Sequence, residues 1–157
     1  MGANTMTLSS AFQGQETHHS RYLALIHSSS EAFGERKESA PPWSGHLTQR
    51  LNELMKLEEG WDGYQAKAIS FLNVVFAQNL INSVCTASSP EPQVVPGFNE
   101  DLQIEWYLNN GDIELWVQGP NNVLAWYENH LLQKEQELEL STDFSEVSLW
   151  LKELRCM

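Results

Sequence analysis

The stretch from Leu102 to Gln118 reads LQIEWYLNNGDIELWVQ, and it decides the fold. Apolar and polar residues alternate over 102–108 and again over 112–118. That two-residue period belongs to strands with one face in a core. Asn110-Gly111 lies between the two runs and favours the tight turn of a β-hairpin. With that pair as the turn, Leu108 faces Ile113, Trp106 faces Leu115 and Ile104 faces Val117. All three pairs are apolar and share one face, so the side chains select the same register as the turn.

Further elements lie on either side of the hairpin. Gly119-Pro120-Asn121-Asn122 is a second turn, and Val123 to Tyr127 follows as a strand with Leu124 and Trp126 expected on the core face. Upstream, Gln93 to Phe98 reads as an edge strand, because Pro96 has no N–H for a central ladder. Over 131–140, Leu138 and Leu140 alternate with glutamates and could form a short strand. Leu47, Leu51, Leu54 and Met55 recur at helical spacing and predict a helix from about His46 to Glu59. A second helix is expected from Ser70, a good N-cap, to about Cys85, apolar on more than one face. Asp143 and Glu146 have capping-box spacing and open a third, with a Phe144, Val147, Trp150, Leu151, Leu154 stripe. The expected fold is α+β: an antiparallel meander of about four strands packed against helices, in the order α-α-β-β-β-β-α. Residues 46–157 form the single domain. Residues 1–45 read as a mostly flexible segment, with a short helix or strand possible over 17–33 around Tyr22, Leu23, Leu25 and Ile26.

The formal net charge is −12. Residues 46–157 hold 17 acidic and 6 basic side chains, against 4 and 3 in residues 1–45. Direct binding to nucleic acid or to an anionic membrane needs clustered Lys and Arg, so both are disfavoured. An acidic surface suits a basic partner, or simply confers solubility. Cys85 and Cys156 have neither metal-knuckle nor redox-pair spacing, and Cys85 reads as a buried thiol. The N-terminus lacks the charged-then-apolar build of a signal peptide, and no apolar run reaches the roughly 20 residues of a membrane span, so a cytoplasmic location is expected.

The second face of the proposed sheet is expected to carry Glu105, Tyr107, Glu114, Trp116 and Tyr127, with Tyr107 opposite Glu114 and Trp116 opposite Glu105. A solvated sheet face would show Thr, Lys and Ser. Aromatics mixed with acids make a partner-binding surface, because Trp and Tyr anchor interfaces. The alternative is that residues 17–33 fold back and cover them. Glu105 and Glu114 could do acid–base work as diagonal neighbours, but no nucleophile, metal cluster or phosphate loop accompanies them. His18, His19 and His27 lack a matching ligand pattern, and His130 with Asp143 lacks a nucleophile-elbow glycine motif. No cofactor or metal is expected.

Gly60-Trp61-Asp62-Gly63-Tyr64 packs two glycines, two aromatics and an acid between helical patterns, and reads as a helix stop with Trp61 folded back toward Met55 or Lys56. With Leu57 and Ala66, then Val94 to Pro96, then Ile104-Glu105-Trp106, this turn resembles a group of small bacterial and phage proteins. Their sequences carry a Gly-Trp-Asp-Gly/Ser-Tyr-Gly-Ala turn, a Pro-Val-Pro segment and a strand ending in Glu-Trp. The resemblance covers about residues 47–118, and Gln65 stands where the group has glycine. It implies a phage or mobile-element setting of defence, counter-defence or toxin control in the bacterial cytoplasm. The expected function is a non-enzymatic, acidic protein-binding protein, an inhibitor or antitoxin-like regulator that occludes a basic site on a bacterial protein or nucleoprotein complex. A homodimer is compatible with this. The alternatives are a small metal-dependent hydrolase or nuclease-like enzyme using Glu105 and Glu114, and a phage structural subunit.

Overall fold

The computed structural model describes residues 40–156. The expectations for residues 1–39, including the element over 17–33 and its three histidines, lie outside the described residues. In chain order the elements are α1 (Ser44–Leu54), α2 (Phe71–Val84), β1 (Gln93–Pro96), β2 (Leu102–Leu108), β3 (Gly111–Gly119), β4 (Asn122–Asn129), β5 (Lys134–Leu140) and α3 (Ser145–Cys156). The strands form one five-stranded antiparallel sheet in the order β1-β2-β3-β4-β5. The fold is therefore α+β with one strand more than expected, and the extra strand is the leucine–glutamate alternation of β5. No helix among the described residues is long and apolar enough to cross a membrane.

All three helices cover one sheet face. Leu47, Leu51 and Leu54 of α1, Val74, Ala77, Leu80, Ile81 and Val84 of α2, and Val147, Trp150, Leu151 and Leu154 of α3 are buried with Leu102, Ile104, Trp106, Ile113, Leu115 and Val117 of the hairpin. The apolar arc of α2 is explained by its neighbours: it touches α1, α3, β2 and β3. At the start of α3 the Asp143 carboxylate accepts the Ser145 backbone N–H at 2.9 Å, which holds the Asp143 pKa below the usual carboxylate value.

Three expectations are corrected. First, α1 stops at Leu54 rather than Glu59. The N–H groups of Lys56 and Leu57 bond back three residues, to Glu53 and Leu54, tightening the chain so that Leu57 packs against the core. Trp61 is then too far along to fold onto the helix. It stacks on Phe98 at 6.5 Å between ring centroids, and its Nε1–H donates to the Lys67 carbonyl at 3.2 Å. Gly60 does take positive φ, +79°, and Asp62 Oδ1 closes the turn by accepting N–H bonds from Tyr64 and Ala66.

Second, the hairpin turns at Asn109-Asn110, not Asn110-Gly111. Leu108 pairs with Gly111, Trp106 with Ile113, Ile104 with Leu115 and Leu102 with Val117. The partners slide by two residues, so every side chain keeps the face expected of it. Gly111 is needed inside the strand, because a Cβ there would lie 1.9 Å from the Glu128 carbonyl oxygen of β4.

Third, β4 is turned over. Between β3 and β4 the register shifts, with Gly119 opposite Asn122 but Val117 opposite Val123, so Gln118 is an extra residue in a β-bulge. Without it Val117 would face Leu124, and Leu124 and Trp126 would enter the core as expected. With it, Val123, Ala125 and Tyr127 enter the core and Leu124 and Trp126 pass to the open face.

Candidate functional site

Strand pairing arranges the open face in three cross-strand rows. One runs Val95, Gln103, Trp116, Leu124, Glu139; the next Gln93, Glu105, Glu114, Trp126, Glu137; the third Tyr107, Asp112, Glu128, Glu135. These rows hold seven carboxylates and three large aromatics, and no Lys or Arg. Of the expected site residues, Glu105, Tyr107, Glu114 and Trp116 are all here. Tyr127 is not: the bulge sends it inward, fully buried, where it stacks on Trp150 at 5.0 Å and its hydroxyl accepts a bond from Asn129 Nδ2 at 3.2 Å. Trp126 takes its place, joined by Asp112, Glu128, Glu135, Glu137 and Glu139. The alternation of glutamates in β5 was the readable signal for the last three.

Opposite partners also differ from expectation. Glu105 directly faces Glu114, Tyr107 faces Asp112, and Gln103 faces Trp116. Glu105 is 9% exposed. Burial pushes its pKa up, hydrogen bonding with Tyr107 opposes that, and the Glu114 charge adds to the rise. Tyr107 is also pushed up, chiefly by burial and then by donating to Glu114, at 3.0 Å. A carboxylate pair facing across two strands is an unfavourable arrangement for folding alone.

The linkage has a definite sign. Glu105 holds its proton more tightly in the folded chain, so it favours folding at low pH. That contribution is lost as pH rises from the ordinary value of 4.5 through the raised one. Glu105→Gln is therefore expected to gain stability relative to the parent chain at neutral pH and to lose that gain near pH 4. Urea unfolding at the two pH values measures this; a difference independent of pH would remove the titration of Glu105 as its cause.

Both indoles on the face are held by the protein's own carboxylates. Trp116 Nε1–H donates to Asp101, and Trp126 Nε1–H donates to Glu135 at 2.9 Å. Asp101 is itself buried in the β1–β2 loop, where its Oδ1 accepts the Asn99 N–H at 2.9 Å and Gly97 leaves it room. Phe98 of this loop is the ring that Trp61 stacks on, and the Lys67 N–H bonds its carbonyl at 2.9 Å. The glycine-rich turn of residues 60–64 thus braces the loop that orients Trp116. Between the two indoles lies a hollow of about 190 Å³, lined by Gln103, Glu114, Trp116, Leu124, Trp126 and Glu137.

At the end of the face, His130 Nε2 sits 3.5 Å from Asp112 Oδ2 and 3.7 Å from Glu128 Oε2. Its backbone is fixed by a 2.8 Å bond from its N–H to the Asn110 carbonyl. These three are the one group among the described residues whose donor atoms could surround a cation. Cys85 and Cys156 are free, and burial raises the Cys85 thiol to about 11, so it stays protonated at neutral pH.

Comparison with protein-family models, with curated proteins and with solved structures finds no match to this chain.

Proposed function

We propose that this protein binds a basic protein partner through the open sheet face and occludes a basic functional site there, as an inhibitor- or antitoxin-like regulator. The observation that carries this reading is the composition of the three rows: carboxylates interleaved with Tyr107, Trp116 and Trp126, without a Lys or Arg among them. A face kept only for solubility gains nothing from two tryptophans whose orientation is held by hydrogen bonds. Long-range attraction between the carboxylates and a basic patch accelerates encounter, and desolvated aromatics set the residence time.

The test is a binding measurement on the partner selected from bacterial lysate. Trp116→Ala is expected to weaken binding by about 2 kcal/mol, roughly 30-fold. Added salt is expected to slow association far more than it speeds dissociation, because screening shortens the reach of the field to about 8 Å at physiological ionic strength. Affinity unmoved by salt and by Trp116→Ala would put the interface elsewhere. If Glu105→Gln with Glu114→Gln abolishes activity while binding persists, the face is an active site.

A second reading, a metal-dependent hydrolase, draws on one arrangement. Donor separations of 3.5 and 3.7 Å to His130 Nε2 are close to the roughly 3.4 Å edge of a tetrahedral site with bonds near 2.1 Å. The binding reading expects added Zn²⁺ or Mn²⁺ to leave the unfolding midpoint unchanged. Stabilisation by either ion that disappears in His130→Ala would favour the hydrolase.

A further inference from the structure

We infer that the hollow between Trp116 and Trp126 is a receptor for one arginine side chain of the partner. This rests on the binding reading above and names the chemistry that the face recognises. Size comes first. At about 190 Å³ the hollow is well below the roughly 300 Å³ at which pockets begin to hold small-molecule ligands, and it suits a single side chain. The donors come second. Both indole N–H groups are committed to Asp101 and Glu135, so the two tryptophans offer a ligand ring surface and no hydrogen-bond donor. The charge comes third. Glu114 and Glu137 flank Trp126 in one cross-strand row, and both line the hollow. No Lys or Arg lies in the rows to neutralise them. Such a site rewards a cation that is also a multiple donor.

Arginine fits these demands better than lysine. Its planar guanidinium stacks on aromatic rings while its five N–H groups reach carboxylates on more than one side. An ammonium is a strongly hydrated point charge and would give up more solvation to sit between two indoles. Leu124 adds an apolar wall for the methylene stem. The brace from the residue 60–64 turn through the β1–β2 loop to Asp101 keeps the Trp116 ring in place before the ligand arrives, which lowers the ordering cost of binding.

The experiment uses the full chain labelled with ¹⁵N and three blocked peptides: triarginine, trilysine and tricitrulline. Triarginine is expected to shift both indole N–H signals saturably and to bind at least about fivefold more tightly than trilysine and tricitrulline, as a desolvated cation–π contact implies. Glu137→Gln, a change at an exposed side chain, is expected to weaken triarginine about fivefold with the rest of the spectrum unchanged; Trp126→Phe should do likewise. Equal affinities for triarginine and trilysine, or shifts on the face that bypass both indoles, overturn the arginine receptor and leave the basic-partner reading standing. If neither triarginine nor trilysine moves any signal of the face, both readings are overturned.

Discussion

Replacing Trp106 by alanine is expected to destabilise the domain by about 3–5 kcal/mol. The side chain is 1% exposed, in the middle of β2, with Ile104 and Leu102 on the same face and Ile113 across from it. Its Nε1–H donates to the Pro90 carbonyl at 3.2 Å, so the loss includes a half-buried acceptor left without its donor as well as a cavity. Urea unfolding followed by circular dichroism measures the change. Trp106→Phe, which keeps a ring and removes the N–H, should fall at about half that loss. A cost below about 1 kcal/mol for the alanine variant would contradict the burial of this face, because cavities of that size in cores are not so cheap.

Gly111→Ala carries the next largest effect. The added Cβ would stand 1.9 Å from the Glu128 carbonyl oxygen, 2.9 Å from its carbonyl carbon and 2.8 Å from Leu154 Cδ2. Two of these are backbone atoms of β4, so no side-chain rotation relieves the clash and the strands must separate. A loss of about 3 kcal/mol or more is expected, at the upper end for overpacking. Gly119→Ala is the internal control: its Cβ would meet only Asn122 Cβ, at 3.9 Å, and should be close to neutral. Amide hydrogen exchange should show where Gly111→Ala acts. The Asn110 carbonyl holds the His130 N–H and Asn110 Nδ2 holds the Leu154 carbonyl, so protection should fall first at this corner of β3, β4 and α3. Uniform loss of protection, or a stable Gly111→Ala chain, would show that the corner yields more readily than its packing implies.

The candidate site was partly legible because alternation in a strand reports the two faces separately. Glu105, Tyr107, Glu114 and Trp116 could be placed together from β2 and β3 alone, since a hairpin slip of two residues leaves parity intact. Glu105 opposite Glu114, and Gln103 opposite Trp116, could not, since the same slip changes every cross-strand partner. Trp126 and Tyr127 exchanged faces for a sharper reason. Val123-Leu124-Ala125-Trp126-Tyr127 is apolar at every position, so composition is equally content with either face inward. Only the bulge at Gln118 breaks the tie.

By itself the sequence determined the class of fold, the alternation of the two hairpin strands, the positions of three helices and the acidic character of the molecule. Each follows from periodicity or charge, which act over a few residues and need no partner. Tertiary structure alone decided where α1 stops, which residues turn the hairpin, and which face of β4 meets the helices. Those outcomes depend on atoms far apart in the chain: the Glu128 carbonyl that excludes a side chain at Gly111, the Phe98 ring that takes Trp61, and the Trp150 ring that receives Tyr127. The hollow between Trp116 and Trp126 belongs to that second group, because it exists only where a bulged strand brings two indoles to one face.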